Sequence, residues 1–208
     1  KVAASNYPGE IIVVDDGSSD GTRQILENLE RQKNPKIKIY YLKKNQGKGF
    51  AVRMGISKST KKYVLIQDAD LEYSVSDYPK LITPILSGRC QIVYGTRFTH
   101  VKNNVTFLSR TSNWFLTSLT KLFFGSRITD MECCFKLFPK NLALKLGLKA
   151  NRFDFEPEIT AKFLKKGYSI EEVPVSYKPR SWEEGKKINV VDGFEAIVTL
   201  FRYRFFEK

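Results

Sequence analysis

Short apolar runs alternate with amphipathic stretches through the first half of the chain. Ile11-Ile12-Val13-Val14 is wholly apolar and β-branched, the composition of a strand buried on both faces. The dense turn signal Asp15-Asp16-Gly17-Ser18-Ser19-Asp20-Gly21 follows. A helix is predicted from about Thr22, with Ile25, Leu26 and Leu29 inward, and Asn34-Pro35 stops it. Ile37 to Leu42 is a second strand, Asn45-Gln46-Gly47-Lys48-Gly49 a loop, and about Phe50 to Ser57 a helix. Tyr63 to Gln67 is a third strand. Asp77 is placed to cap a helix carrying Leu81, Ile82 and Ile85, and Gln91 to Tyr94 is a fourth strand. This alternation predicts an α/β domain with a mostly parallel central sheet flanked by helices.

The second half is less regular. Asn113 to Phe124 reads as an apolar, aromatic helix, Phe135 to Phe138 as a short strand and Glu156 to Lys165 as a helix. Tyr168 to Tyr177 is a strand interrupted by Pro174. Val190 to Phe206 is a helix with Val191, Phe194, Ile197, Val198, Phe201 and Phe205 on one face, and Arg202, Arg204 and Lys208 elsewhere. That aromatic face suits either core packing or an interfacial helix on a membrane. No internal repeat or second domain is evident, so residues 1–208 are expected to form one domain.

Charge adds an anionic partner to this picture. The 35 Lys and Arg against 22 acids leave +13, which favours a nucleotide, a phospholipid surface or nucleic acid, with plain solubility as the bland alternative. No helix-turn-helix, RNA-recognition or zinc pattern supports nucleic acid. Cys90, Cys133 and Cys134 suit neither a disulfide framework nor a zinc site, so the chain reads as reduced and intracellular, and Asn104-Val105-Thr106 as a chance sequon. The single His100 excludes sites that need several histidines. No apolar run reaches the ~18 residues of a membrane span.

Asp68-Ala69-Asp70, directly after an apolar strand, cannot turn both carboxylates to a core. With Glu72 it offers hard oxygen ligands suited to Mg²⁺ or Mn²⁺, the alternative being an acid-rich surface turn. Ligands of open α/β sheets collect beyond the carboxyl ends of the strands. That rule puts Asp15-Asp16, Asp68-Ala69-Asp70 and Gly95-Thr96-Arg97 on one rim.

These segments, with Asn45-Gln46-Gly47-Lys48-Gly49, Thr129-Asp130-Met131-Glu132-Cys133 and Gly185-Lys186-Lys187, occur in an order that resembles the inverting family-2 glycosyltransferases of GT-A fold. The subgroup most resembled is the dolichyl-phosphate mannose synthase and polyprenyl-phosphate glycosyltransferase group, over nearly the whole chain. The resemblance implies transfer of mannose or glucose from GDP-mannose or UDP-glucose to a polyprenyl or dolichyl phosphate. A sugar hydroxyl acceptor and a non-enzymatic nucleotide-sugar-binding module are the alternatives.

The same resemblance implies roles. Asp68, Asp70 and Glu72 would hold the metal, and Asp15 and Asp16 the nucleoside, though Asp16 would serve equally to cap a turn. Lys48, Arg97, Arg127, Arg180, Lys186 and Lys187 would meet phosphates, with surface ion pairs and solvated charge as the alternatives. Gly47 and Gly49 would let the backbone approach a ligand. Asp130 and Glu132 would lie beside the acceptor with Arg97. One acid would be the general base for a hydroxyl, while an ionised lipid phosphate needs no strong base. The expected location is cytoplasmic, or peripheral on the cytosolic face of a membrane. The family's first strand, which is central in the sheet and lines the nucleoside pocket, has no counterpart before Ile11, where Val2-Ala3-Ala4 reads as the tail of a connecting helix.

Overall fold

The computed structural model describes residues 1–98, 105–180 and 190–207. Lys186, Lys187, Lys208, His100 and the Asn104 sequon therefore lie outside the described residues. The first half runs β1 (Ile11–Asp15), α1 (Thr22–Arg31), β2 (Ile37–Tyr41), α2 (Lys48–Lys58), β3 (Tyr63–Leu65), α3 (Tyr78–Leu86) and β4 (Ile92–Thr96). The second runs α4 (Phe107–Phe124), β5 (Lys136–Pro139), α5 (Lys140–Lys145), α6 (Phe155–Lys165), β6 (Ile170–Pro174) and α7 (Val190–Phe205).

β1 and β2 form a parallel pair, in register from Ile11 opposite Ile37 to Asp15 opposite Tyr41. A second sheet has the order β3-β5-β4-β6. There β3, β4 and β6 point one way, and β5 alone runs against them, between β3 and β4. No ladder joins β1 to β3 among the described residues. Ile11 to Val14 are half-buried rather than enclosed, and among the described residues β1 pairs only with β2. β4, paired on both edges, is buried along its length.

The main core gathers Leu81, Ile92, Val93, Tyr94, Phe135, Phe138, Phe155, Ile159 and Phe163. Each side chain of this size contributes roughly 1.5–3 kcal/mol on full burial. A second cluster, Leu116, Ile128, Met131, Ala161, Ala196, Leu200 and Tyr203, seats α4 and α7 against α6.

Several expectations are corrected. Ile25 is 69% exposed, because α1 covers only the edge pair and turns Leu26 and Leu29 towards it. Asp77 makes no cap bond to α3. It accepts instead from Lys80 Nζ at 2.6 Å and Ser176 N at 2.7 Å. α4 begins at Phe107, ahead of Asn113, where Thr106 accepts from Ser109 N. α7 buries Ala196, Leu200 and Tyr203, while Val191, Phe194, Val198, Phe201 and Phe205 face outward. Ala196, Leu200 and Tyr203 pack against Leu116 of α4 and Ala161 of α6, and Phe201 lies edge-on to Phe123 at 4.8 Å.

Candidate active site

The chain leaves β3 into the acidic turn because Ile66 N still bonds to Lys136 O while Asp68 N donates to Cys134 Sγ at 3.0 Å. Every acid of that turn faces a cation of the chain. Lys48 Nζ lies 3.0 Å from Asp68 Oδ2. Arg180 Nη2 lies 2.7 Å from Asp70 Oδ2, and its Nε 3.3 Å from Glu72 Oε1. Arg180 is brought there by Tyr177 bridging Tyr73 and by Lys178 N bonding to Glu72 O. Burial alone would raise the Asp68 carboxyl, but Lys48 overrides it and holds the group below its ordinary value. Burial raises Asp70, with Asp68 and Glu72 adding to the effect and Arg180 opposing it.

Asp68, Asp70 and Glu72 do not close into a cage of three acids, nor does any such His, Cys, Asp or Glu cluster exist among the described residues. Two hard carboxylates, however, match what Mg²⁺ or Mn²⁺ takes from a protein when substrate phosphates and water complete the shell. The donor set fits a divalent ion if Arg180 releases Asp70, since Lys48 contacts Asp68 through Oδ2 alone.

The end of β1 supplies two acids of different character. Asp15 is 3% exposed; its Oδ1 accepts from Ser18 N, and its Oδ2 is buried with no hydrogen-bond partner. Asp16 instead caps the next loop, accepting from Gln46 N at 2.7 Å and Gly47 N at 2.8 Å. The glycines of that loop pack against the chain's own backbone. A Cβ on Gly47, whose φ is +100°, would sit 2.3 Å from Asn151 O, and one on Gly49 would sit 2.6 Å from Ala150 O. The glycines let α2 start against the 150–152 segment, and this aims Lys48 inward at Asp68 and Glu156.

At the end of β4, Arg97 closes its fork on Asp130. Its Nε and Nη2 each lie 2.7 Å from a carboxylate oxygen, and its backbone N lies 2.9 Å from Oδ2. Asp130 is fully buried, and the guanidinium also lies 5.2 Å from the Tyr177 ring centre. The Arg97 fork, expected beside phosphates, is engaged here with Asp130. Glu132 is different. Its Oε1 is buried without a hydrogen-bond partner, and burial pushes the carboxyl up to about 7, with Glu156 and Asp130 adding and Lys136 and Arg97 opposing. A group near 7 is suited to proton transfer at neutral pH. Arg127 is exposed on the loop before Thr129 and makes no ion pair among the described residues.

Three residues that the sequence did not single out hold this arrangement. Glu172 on β6 accepts from Thr129 N, Thr129 Oγ1 and Asp130 N at 2.7–2.9 Å. Lys136 on β5 is fully buried and donates to the carbonyls of Met131 and Cys133. Glu156 on α6 pairs with both Lys136 and Lys48. The available signal was an ionisable residue inside an apolar run, which must find a partner when buried.

Residues 2–147 match the family model described as Glycosyl transferase family 2. Glycosyltransferase AglJ of Haloferax volcanii is 27% identical over 197 residues, 92% of this chain and 62% of that protein. Dolichyl-phosphate beta-glucosyltransferase of Dictyostelium discoideum is 32% identical over 178 residues, 81% of this chain and 54% of that protein. The Saccharomyces cerevisiae protein of the same name is 32% identical over 189 residues, with 81% and 56% covered. The chain thus spans between 54% and 62% of the length of these relatives. Among solved structures, glucosyl-3-phosphoglycerate synthase from Mycobacterium tuberculosis in complex with UDP gives a TM-score of 0.68 at 19% identity, covering 96% of this chain and 70% of that one. At that identity the likeness is one of fold, a GT-A-like α/β architecture.

Proposed function

The chain belongs to glycosyl transferase family 2, and on that premise we propose that it moves a hexose from a nucleotide sugar to a polyprenyl or dolichyl phosphate. Transfer is a single displacement with inversion, carried out by one catalytic domain over residues 1–208. Two relatives at 32% identity, named dolichyl-phosphate beta-glucosyltransferases, favour glucose over mannose, and so UDP-glucose over GDP-mannose. The observation that carries the reading is the pairing of each acid on the 68–72 turn with Lys48 or Arg180. Acids gathered in one partly buried turn and matched by cations of the chain are what a site needs if it exchanges Arg180 for a metal and a diphosphate.

In this scheme Asp68 and Asp70 hold Mg²⁺ or Mn²⁺, with Glu72 keeping Arg180 beside them. A divalent ion bound there supplies Lewis-acid neutralisation of the leaving diphosphate. Arg180, released from Asp70, turns to the phosphates with Arg127 and the basic residues Lys186 and Lys187, while Lys48 keeps its pair with Asp68 and adds its charge beside them. Asp15 accepts from the donor's nucleoside through its unpartnered Oδ2, while Asp16 keeps the 45–47 loop in place. Arg97 and Asp130 brace the acceptor side as a pair. A phosphate acceptor, whose second ionisation lies near 6, arrives ionised and needs no proton removed, so Glu132 lies beside it without acting as its base.

No helix among the described residues is long and apolar enough to cross a membrane. Trp114 and Phe115 on α4, with Phe205, Phe206, Arg202 and Arg204 at the end of α7, are exposed. An aromatic surface edged with arginines suits peripheral contact with the membrane that carries the acceptor, on its cytosolic face.

The raised Glu132 favours a second reading, a sugar hydroxyl acceptor, which does need a base. The deciding experiment offers UDP-glucose or GDP-mannose with Mg²⁺ or Mn²⁺ to polyprenyl phosphate and, separately, to free sugars. Asp70→Ala and a chelator should each lower turnover by more than about 100-fold, beyond the range of an outer-shell change. Turnover indifferent to both would refute the metal role, and transfer to sugars alone would replace the acceptor.

A further inference from the structure

A line of four alternating charges runs between the two sides of the site. Asp68 meets Lys48 at 3.0 Å, Lys48 meets Glu156 Oε1 at 2.9 Å, and Glu156 Oε2 accepts a short hydrogen bond from Lys136. The Lys48–Glu156 contact has no hydrogen-bond alignment and acts as an ion pair. Lys136 Nζ then donates to Met131 O at 2.9 Å and to Cys133 O at 2.6 Å. Glu156 is 2% exposed and Lys136 fully buried. Apolar residues of similar size would fill this space with no loss of stability, so packing does not account for the charges. The ends of the line do. One end is the carboxylate of Asp68, and the other is the backbone on either side of Glu132, two residues beyond Asp130.

We propose that Lys136 and Glu156 are positioning residues that set the distance between Asp68 and the turn of Asp130 and Glu132, and so align acceptor with donor. The inference rests on the proposed function of the site. Both side chains are buried and are taken up by partners within the chain. Each acts through the residue next in line, and any break leaves a buried charge that pulls its neighbours out of place. Because Lys136 holds two carbonyls of the turn at once, the loss of its counter-ion moves the turn as a body. Misplacement by ~1 Å costs about 100-fold in rate even when it originates away from the chemistry.

The test compares Glu156→Gln, which keeps shape and removes charge, with the double variant Lys136→Met/Glu156→Gln, which leaves no new unpaired charge between them. With UDP-glucose, polyprenyl phosphate and Mg²⁺, kcat should fall about 10- to 100-fold while the KM for UDP-glucose moves less than about threefold. A second readout is independent of turnover. The chain has 2 methionines, Met54 and Met131, so Met54→Leu assigns the methyl signals by NMR. UDP with Mg²⁺ should shift the Met131 methyl resonance in the wild-type chain and leave it unmoved in Glu156→Gln, although UDP still binds. Wild-type kcat per folded molecule in the double variant, with the Met131 response intact in Glu156→Gln, overturns the proposal. If the double variant does not fold, Glu156→Asp retains the charge but draws it back by one methylene, and should lower kcat without changing KM. A wild-type chain that binds neither UDP nor GDP gives a different result: it removes the proposed function, and this inference with it.

Discussion

Replacing Glu132 by Gln should make the protein more stable, and only above a definite pH. Burial pushes this carboxyl up to about 7 from an ordinary value of 4.5. Between those two pH values the folded chain holds a proton that the unfolded chain has lost, so stability falls as pH rises across the window. Below it both states are protonated and the group contributes nothing; above it the whole penalty is present. At 1.36 kcal/mol per unit, the penalty has an upper bound of about 3 kcal/mol. For a chain of 208 residues that amounts to a Tm difference of roughly 6–12 °C. Glutamine has the same shape and no charge to desolvate. Thermal melts of both proteins from about pH 4 to about pH 8 should therefore coincide in acid and separate progressively towards neutrality, the variant melting higher. The difference between the two curves cancels every other titrating group that behaves alike in both. A Tm gap independent of pH, or one that opens with the wild type on top, would refute the assignment. The same variant reports on chemistry. If Glu132 is the base for a hydroxyl acceptor, wild-type kcat should rise through pH ~7, and Glu132→Gln should flatten that limb and lower kcat by about 10²–10⁴.

Further outcomes follow from the other pairs. Asp130→Asn strands the Arg97 guanidinium beside a neutral amide in a buried site, and should cost about 3–5 kcal/mol in urea unfolding; an unchanged midpoint would show that the pair contributes nothing. Arg180→Ala should tighten Mn²⁺ binding measured by EPR without nucleotide, by up to about fivefold for so exposed a pair, while weakening UDP-glucose binding; weaker metal binding would mean that Arg180 does not compete for Asp70. Gly49→Ala drives a Cβ to 2.6 Å from Ala150 O, and should destabilise by about 1–3 kcal/mol and depress kcat through Lys48; a neutral melt would contradict the packing described for this loop.

The strand-end acids were legible because a carboxylate directly after an apolar run has few places to go. Asp15, Asp68 and Asp70 all lie at or just beyond the end of a strand, as the alternation required. The partners of those acids were not legible. Arg180 reaches Asp70 only because residues 177–178 pair beside residues 72–73, a contact made far along the chain. Lys136 lay hidden in an apolar strand and Glu156 in the first turn of a helix, where their charge signalled a need for a partner without naming one. Ile25 shows the converse limit. Its place in the helical pattern is as good as that of Leu26, but no element among the described residues packs over it, and periodicity does not report what lies opposite. The antiparallel insertion of β5 between β3 and β4 escaped for a similar reason, since a short apolar run carries no mark of its direction.

The sequence by itself determined the α/β alternation, the acids at the strand ends and the loop glycines, all of which depend on spacing within a few residues. Tertiary structure decided which charge meets which: Lys48 with Asp68 and Glu156, Arg180 with Asp70, and Arg97 with Asp130 rather than with an open phosphate site. Periodicity is a local property of the backbone and can be read along the chain. An ion pair is set by a few ångströms of separation and by the exclusion of water, and both exist only once distant segments have packed together.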